Sequence, residues 1–197
     1  MTNRIKLITY YVFRHPWIKL RLGKLGESSR LFNCSINGYK KIFIGSKVYI
    51  KQGGWLACEP LTGNDDCSLR IGDGTYIGRF CHIYATSGIH IGKKVLIADK
   101  VYIADNRHGY EDPNMPVIDQ PVQQINEVVI GDGAWLGENV CIVGANVGKN
   151  SVVGANSVVM KDIPDYCVAV GSPAHIIKRY SFERKEWLRT NKKGDFI

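Results

Sequence analysis

Through most of this chain an aliphatic side chain returns at about every sixth position. Between residues 128 and 163 it falls at Ile130, Leu136, Ile142, Val147, Val153 and Val159, and glycine follows three of them directly, at Gly131, Gly137 and Gly154. That period is neither the helical repeat of about 3.6 nor the strand repeat of about 2. It predicts a short strand, a corner and another short strand. Each aliphatic side chain then points into a shared interior, and glycine relieves the corner backbone. Repeats of this length mark a parallel β-helix.

The same count runs backwards through Ile91, Ile97 and Ile103, then Ile71, Ile77 and Ile83, then Ile44, Ile50 and Leu56. Three such steps make one triangular coil, so the fifteen positions predict about five or more coils, every one of them Ile, Leu or Val. The count slips by nine residues between Leu56 and Ile71, by two between Ile83 and Ile91, and by about 21 between Ile103 and Ile130. Each time it resumes in phase. Insertions in a solenoid emerge as loops, and loops carry function. The longest, over 104–127, holds His108 and three prolines, Pro113, Pro116 and Pro121, which stiffen it.

Outside the repeats the pattern changes. Residues 1–30 read as a helical segment broken at Pro16, which would cover the open first coil. Residues 25–43 read as a lead-in or partial coil. The β-helix itself is expected over 40–165. After Ile163-Pro164, the run Gly171-Ser172-Pro173 reads as a turn into a C-terminal helix over 172–190, with Ser172 as N-cap. Ile177, Tyr180, Trp187 and Leu188 would give that helix its apolar face. The fold class is thus all-β, one domain, with a helical segment at each end.

Composition narrows the class without naming a function. A hydrophobic share of 45% and a charged share of 22% are those of an ordinary globular domain. No run of about 18 apolar residues is present, and the apolar patch over 7–13 is short and lacks a small-residue cleavage site. Six scattered cysteines without a C-x-x-C pair suit reduced, mostly buried thiols, and with them a cytoplasmic protein. The net charge of +8 comes from the two ends of the chain, where Arg4, Lys6, Arg14, Lys19, Arg21 and Lys24 balance Lys178, Arg179, Arg184, Lys185, Arg189, Lys192 and Lys193. No nucleic-acid motif accompanies it. Ligand phosphates, or a weak peripheral contact of the N-terminus with an anionic membrane surface, are the other partners such charge suits.

The repeats, the loop histidine and the segment GDGAWLGENV…GANSVVMKDIPDYCVAVGSPAHIIKR together resemble the hexapeptide-repeat acyltransferases. Among these the chain is most similar to the maltose and galactoside acetyltransferases and the bacterial polysaccharide O-acetyltransferases, over about residues 40–180. The resemblance implies a left-handed coil, against the usual right-handed crossover rule. It also implies a homotrimer with active sites between neighbouring subunits, and acetyl-CoA as the donor co-substrate.

Transfer of an acetyl group from a thioester to a sugar hydroxyl needs a base for the hydroxyl proton and donors for the oxyanion. A histidine titrating near neutrality suits the first task. His108 matches the family's loop histidine and is expected to be the general base, with direct transfer. Asp105 or Glu111 could orient its imidazole, as could a backbone carbonyl. Related polysaccharide enzymes often carry Asp-His-x-His at this point. Here the stretch is Asp105-Asn106-Arg107-His108, so Asn106 stands where the first histidine would be. Asn106 and His82 are the candidate acceptor contacts. By the same resemblance Trp135 walls the groove near the acetyl group, and Gly154, Ala155, Met160 and Lys161 line the pantetheine and nucleotide arm. His175, Lys178 and Arg179 stand where the family places cations near the coenzyme phosphates. His82 and His90 also raise the three-histidine zinc sites of β-helix carbonic anhydrases. Their paired histidines five apart are missing here, and no metal is expected. The competing readings are an N-acetyltransferase on an amino-sugar nucleotide and a β-helix scaffold without activity.

Overall fold

The computed structural model describes residues 15–191 and 194–197. The readings of residues 1–14 and of Lys192 and Lys193 lie outside these limits. The described chain is mostly strand, wound around a three-sided prism. Face A holds β1 (Lys24–Leu25), β4 (Ile42–Ile44), β7 (Ser68–Ile71), β10 (Gly88–Ile91) and β15 (Val128–Ile130). Face B holds β2 (Arg30–Leu31), β5 (Tyr49–Ile50), β8 (Tyr76–Ile77), β11 (Leu96–Ile97), β16 (Trp135–Leu136), β18 (Val152–Val153) and β20 (Cys167–Val170). Face C holds β3 (Ser35–Asn37), β6 (Trp55–Cys58), β9 (His82–Ala85), β12 (Tyr102–Ala104), β17 (Cys141–Val143) and β19 (Val158–Val159). Within each face these strands pair in parallel, every strand with its equivalent one turn on.

The aliphatic positions stack in register. On face A, Leu25, Ile44, Ile71, Ile91 and Ile130 form one row, which isolated bridges extend to Val147 and Ile163. On face B the row is Leu31, Ile50, Ile77, Ile97, Leu136, Val153 and Ala169. On face C it is Ile36, Leu56, Ile83, Ile103, Ile142 and Val159. All fifteen positions of the sequence count are 2% exposed or less. Burying each such side chain contributes roughly 1.5–3 kcal/mol, so the repeat is the core. Six turns close through all three faces. The expected lead-in over 25–43 is a complete first turn, built on Leu25, Leu31 and Ile36.

The corners explain the small residues. A Cβ on Gly131 would lie 2.5 Å from the backbone nitrogen of Lys149 one turn on, closer than any side chain tolerates. Gly133, two residues later, supplies a left-handed φ of 70°. Buried hydroxyls complete the turns: Thr75 donates to the Gly92 carbonyl at 2.8 Å and accepts from the Val95 amide at 3.1 Å.

At the N-terminal end helix α1 (His15–Arg21) carries Pro16 as its second residue, and the expected break there involves residues outside the described ones. Ile18 and Leu22 bury themselves at 1% and 6% exposure over the first turn of the prism.

The expected C-terminal helix over 172–190 is instead a hairpin of β21 (His175–Ser181) and β22 (Glu186–Arg189). β21 pairs antiparallel with the last prism strand, β20, and β22 pairs antiparallel with β21. The open edge of β20 decides the matter. It presents unpaired backbone groups that only another strand satisfies, and β-branched Ile176 and Ile177 suit one. Two of the residues read as a helical face, Tyr180 and Trp187, meet across the hairpin, while Leu188 stands opposite Arg179.

Candidate active site

The long insertion leaves the corner between faces C and A as a second hairpin, β13 (Asn106–His108) against β14 (Val122–Gln124). His108 ends β13, opposite Val122, with its side chain exposed. Its position depends on how the arm is rooted. Asp105, fully buried, accepts hydrogen bonds from the amides of Thr86, Ser87 and Gly88 at 2.8–3.1 Å, from the Thr86 hydroxyl at 3.1 Å and from the Asn106 side chain at 2.8 Å. Gln124 donates to the Asp105 carbonyl at 2.8 Å and accepts from Thr86 at 2.8 Å and from Thr62 at 2.9 Å. One network therefore ties the arm, the preceding corner and the loop after Cys58.

This root corrects three expectations. Asp105 does not orient His108: among the described residues its carboxylate is spent on the 86–88 corner and on Asn106. Asn106 is 6% exposed and its NH2 donates to the Tyr84 carbonyl at 3.1 Å as well as to Asp105, so it fastens the arm. Glu111 is engaged by the Tyr110 amide, by Arg107 at 2.7 Å and by Gln123 at 2.7 Å. The Tyr110 N–H first, and then the Arg107 guanidinium, hold its carboxyl down at about 2.

Face C carries an aromatic surface beside this root. Trp55, His82 and Tyr102 are neighbours in one outward row, and Tyr84 lies in the next. The Trp55 and His82 rings stack with centroids 4.3 Å apart, 11° from parallel, and His82 meets Tyr102 edge-on at 5.2 Å. Trp55 donates to Asn37 at 3.0 Å, and the Tyr84 hydroxyl donates to Glu59 at 2.9 Å. Burial lowers the pKa of His82, keeping its imidazole neutral, and its Nε2 is buried without a hydrogen-bond partner among the described residues. His90 lies on face A in a row with Arg70 and Val129, so the two histidines of the zinc alternative stand on different faces. Trp55 and Tyr84 were not singled out in the sequence. The signal was there, because they sit one before the inward Leu56 and one after the inward Ile83.

The expected donor residues divide among several elements. Trp135 is 49% exposed on face B, in an outward row with Tyr76 and Leu96. Gly154 and Ala155 turn the corner from face B to face C. A Cβ on Gly154 would meet the Cγ1 methyl of Val170 at 2.8 Å, so packing favours a glycine there. Met160 and Lys161 lie exposed beyond β19, at the C-to-A corner. His175 and Lys178 register with the outward Val170 and Val168. Arg179 faces the other way, opposite the buried Cys167. It donates to the Gly194 carbonyl at 3.4 Å and lies 5.7 Å from the Phe196 ring, which ties it to the C-terminal tail.

A family model described as the hexapeptide repeat of succinyl-transferase matches residues 127–161, where faces A, B and C each contribute stacked strands. WbbJ of Escherichia coli K12, named as a lipopolysaccharide biosynthesis O-acetyl transferase, is 42% identical over 123 residues, 58% of this chain and 62% of that protein. The chain carries the hexapeptide repeat over residues 127–161. Rv3034c of Mycobacterium tuberculosis H37Rv, named as an acetyltransferase, is 40% identical over 175 residues, 83% of this chain and 58% of its own length. This hexapeptide-repeat chain thus spans about three-fifths of these relatives. AntD of Bacillus cereus, an N-acyltransferase crystallised with dTDP and coenzyme A, superposes with a TM-score of 0.70. The match covers 87% of this chain and 91% of that one at 19% identity, and it shows a shared fold.

Proposed function

We propose that this hexapeptide-repeat protein transfers an acetyl group from acetyl-CoA to a hydroxyl of a sugar or cell-surface polysaccharide precursor, with His108 as general base. The observation that carries the reading is an exposed imidazole at the end of an arm rooted by a closed hydrogen-bond network, beside an aromatic face. The imidazole takes the proton as the acceptor oxygen attacks the thioester carbonyl. The tetrahedral oxyanion collapses, the carbon–sulfur bond breaks, and the proton passes to the leaving thiolate. Trp55, His82 and Tyr84 offer the acceptor ring faces and polar edges. The names of the two relatives support acetyl transfer, and a lipopolysaccharide role for one supports a glycan acceptor.

The reading includes a homotrimer with left-handed coils. Faces B and C carry outward apolar rows, Tyr76, Leu96 and Trp135 on one and Trp55 and Tyr102 on the other. The outward row of face A is mixed, with Lys24, Arg70 and His90 set among Phe43 and Val129. Two unlike sticky faces at a fixed angle favour a head-to-tail ring. Packing B of one subunit on C of the next would bring Trp135 to the cleft where the neighbour's His108 stands. Trp17 and Leu20, exposed beside Lys19 and Arg21, would suit an anionic lipid surface near the acceptor. The reaction then belongs in the cytoplasm, where acetyl-CoA is available.

The test is thiol release from acetyl-CoA across a panel of sugar and amino-sugar acceptors. His108→Ala should lower kcat by about 100-fold or more, the contribution typical of a general base, with the oligomer intact. Full turnover in that variant removes His108 from the mechanism, and transfer only to amino acceptors replaces O- by N-acetylation.

A further inference from the structure

The edge of the prism between faces C and A carries more than the His108 arm. Back along that edge from the arm come the 86–88 corner, the loop over 59–66 and, at the first turn, the short helical turn Tyr39–Lys41. A cavity of about 470 Å³ opens between the last two. Tyr39, Pro60 and Leu61 give it apolar walls, and Lys40, Lys41 and Glu59 are its charged groups. Glu59 accepts from the Tyr84 hydroxyl at 2.9 Å, so the cavity borders the aromatic surface of face C. The Lys41 ammonium donates to the Asp65 carbonyl. On the other side Tyr39 joins the cavity to α1: Trp17 meets its ring edge-on at 5.8 Å, and the Arg21 guanidinium lies over both rings, at 4.2 Å from Trp17 and 5.6 Å from Tyr39. Leu20 and Leu61 are exposed on this end of the molecule. Among the described residues no carboxylate pairs with Lys19, Arg21, Lys24, Lys40 or Lys41.

We infer that the acceptor is a lipid-linked sugar, whose phosphate this cavity holds between Lys40 and Lys41 and whose chain begins against Tyr39 and Leu61, while α1 lies on the membrane that carries it. The inference rests on the glycan-acceptor reading above and names how that acceptor is presented. Charge and apolar surface occur here together. A soluble anion accounts for the lysines and leaves Leu20 and Leu61 in water, whereas a lipid phosphate at a bilayer surface satisfies both, with the Trp17 indole at the boundary. Spacing agrees. Neighbouring turns lie about 4.8 Å apart, so the cavity stands roughly 14 Å, three turns, from the root of the His108 arm. A phosphate at Lys40 and Lys41 leaves the sugar to extend over Trp55 and Tyr84 toward the imidazole. The loop that walls the cavity also touches the arm, because Thr62 donates to Gln124 at 2.9 Å.

The test uses the full chain and two kinds of phosphatidylcholine vesicle, one containing a polyprenyl phosphate and the other phosphatidylglycerol at matched charge. Co-sedimentation is measured for the wild type, Lys40→Gln, Leu61→Ser and Leu20→Ser, and acetyl transfer is compared between a polyprenyl-diphosphate-linked sugar in vesicles and the same sugar free. The wild type should prefer the polyprenyl phosphate vesicles by about tenfold, as expected for burying one apolar group in the cavity. Lys40→Gln should cost about fivefold of that preference, the share of one cation near an anionic surface, and Leu61→Ser should cost as much or more. Leu20→Ser should weaken both vesicle types alike. Equal binding to the two vesicle types, or a preference that neither Lys40→Gln nor Leu61→Ser reduces, overturns the inference. So does binding of inorganic phosphate, read by calorimetry, in a protein that leaves the vesicles unbound. Transfer to the free sugar without preference for the linked one removes the lipid anchor and leaves the acetyl-transfer reading standing. Selective vesicle binding with no transfer to any acceptor keeps the site and removes that reading.

Discussion

Exchange of Asp105 for asparagine keeps the volume and removes the charge at the root of the His108 arm. In the wild type, one carboxylate serves three backbone amides, one hydroxyl and one side-chain amide. An asparagine can turn its oxygen toward Ser87 and Gly88, which leaves its own NH2 facing the Asn106 NH2. The bonds that survive fall from charge-assisted to neutral, a loss of about 1 kcal/mol each, and the donor–donor contact adds about 1–3 kcal/mol. The sum is about 3–5 kcal/mol, a large part of the roughly 5–15 kcal/mol that stabilises a domain. With a urea slope of about 2 kcal/mol/M, the midpoint should fall by about 1.5–2.5 M. Amide exchange should quicken first at Thr86, Ser87 and Gly88, and kcat should fall because His108 hangs from the same corner. If Asp105→Asn keeps its urea midpoint and its exchange protection at 86–88, the fastening role is wrong. Lost turnover with both retained would return Asp105 to the chemistry.

Two further predictions use the titrating groups. The folded-state pKa of His82 lies below its unfolded value of about 6.5, so the unfolded chain binds more protons as pH falls through that value, and stability declines from about pH 7 toward pH 5. His82→Phe should flatten that slope in urea midpoints taken across the range; an unchanged slope refutes the assignment. The thiols of Cys58 and Cys67 lie 3.5 Å apart, and burial, then the Cys67 contact, pushes the Cys58 pKa up to about 12. Mass spectrometry after alkylation of the folded protein near pH 8 should find Cys58 unlabelled until denaturant is added, and rapid native labelling would contradict that burial.

The prism was legible because its signal is long-range and redundant. Each inward residue repeats the demand of the one before, and glycine marks the corner wherever the next turn passes too close for a side chain. The first turn was harder to see, since Leu31 is followed by Phe32 and Ile36 is only half buried. The C-terminal hairpin was misread because Ile177, Tyr180, Trp187 and Leu188 fit a helical stripe as well as a pair of strands. The unpaired edge of β20 chose between them, and no local pattern reports that edge. The exposed position of His108 was legible from its place on the loop, whereas the hydrogen-bond duties of Asp105 and Asn106 were not. An acid and an amide beside a histidine look alike in sequence whether they face a substrate or tie down a corner.

The hairpin that closes the prism also bears on self-association. A stack of equivalent turns has no intrinsic stopping point, and a bare last turn would template the first turn of another molecule, giving fibres. Here β21 runs against the direction of the stack, so a parallel newcomer finds no matching ladder on face B. The outer edge of β22 is charged, with Glu186 and Arg189, and its end is bridged to the tail through Thr190 and Phe196. Trimming the chain after Ser172 would remove that stop, and filament growth in light scattering should follow.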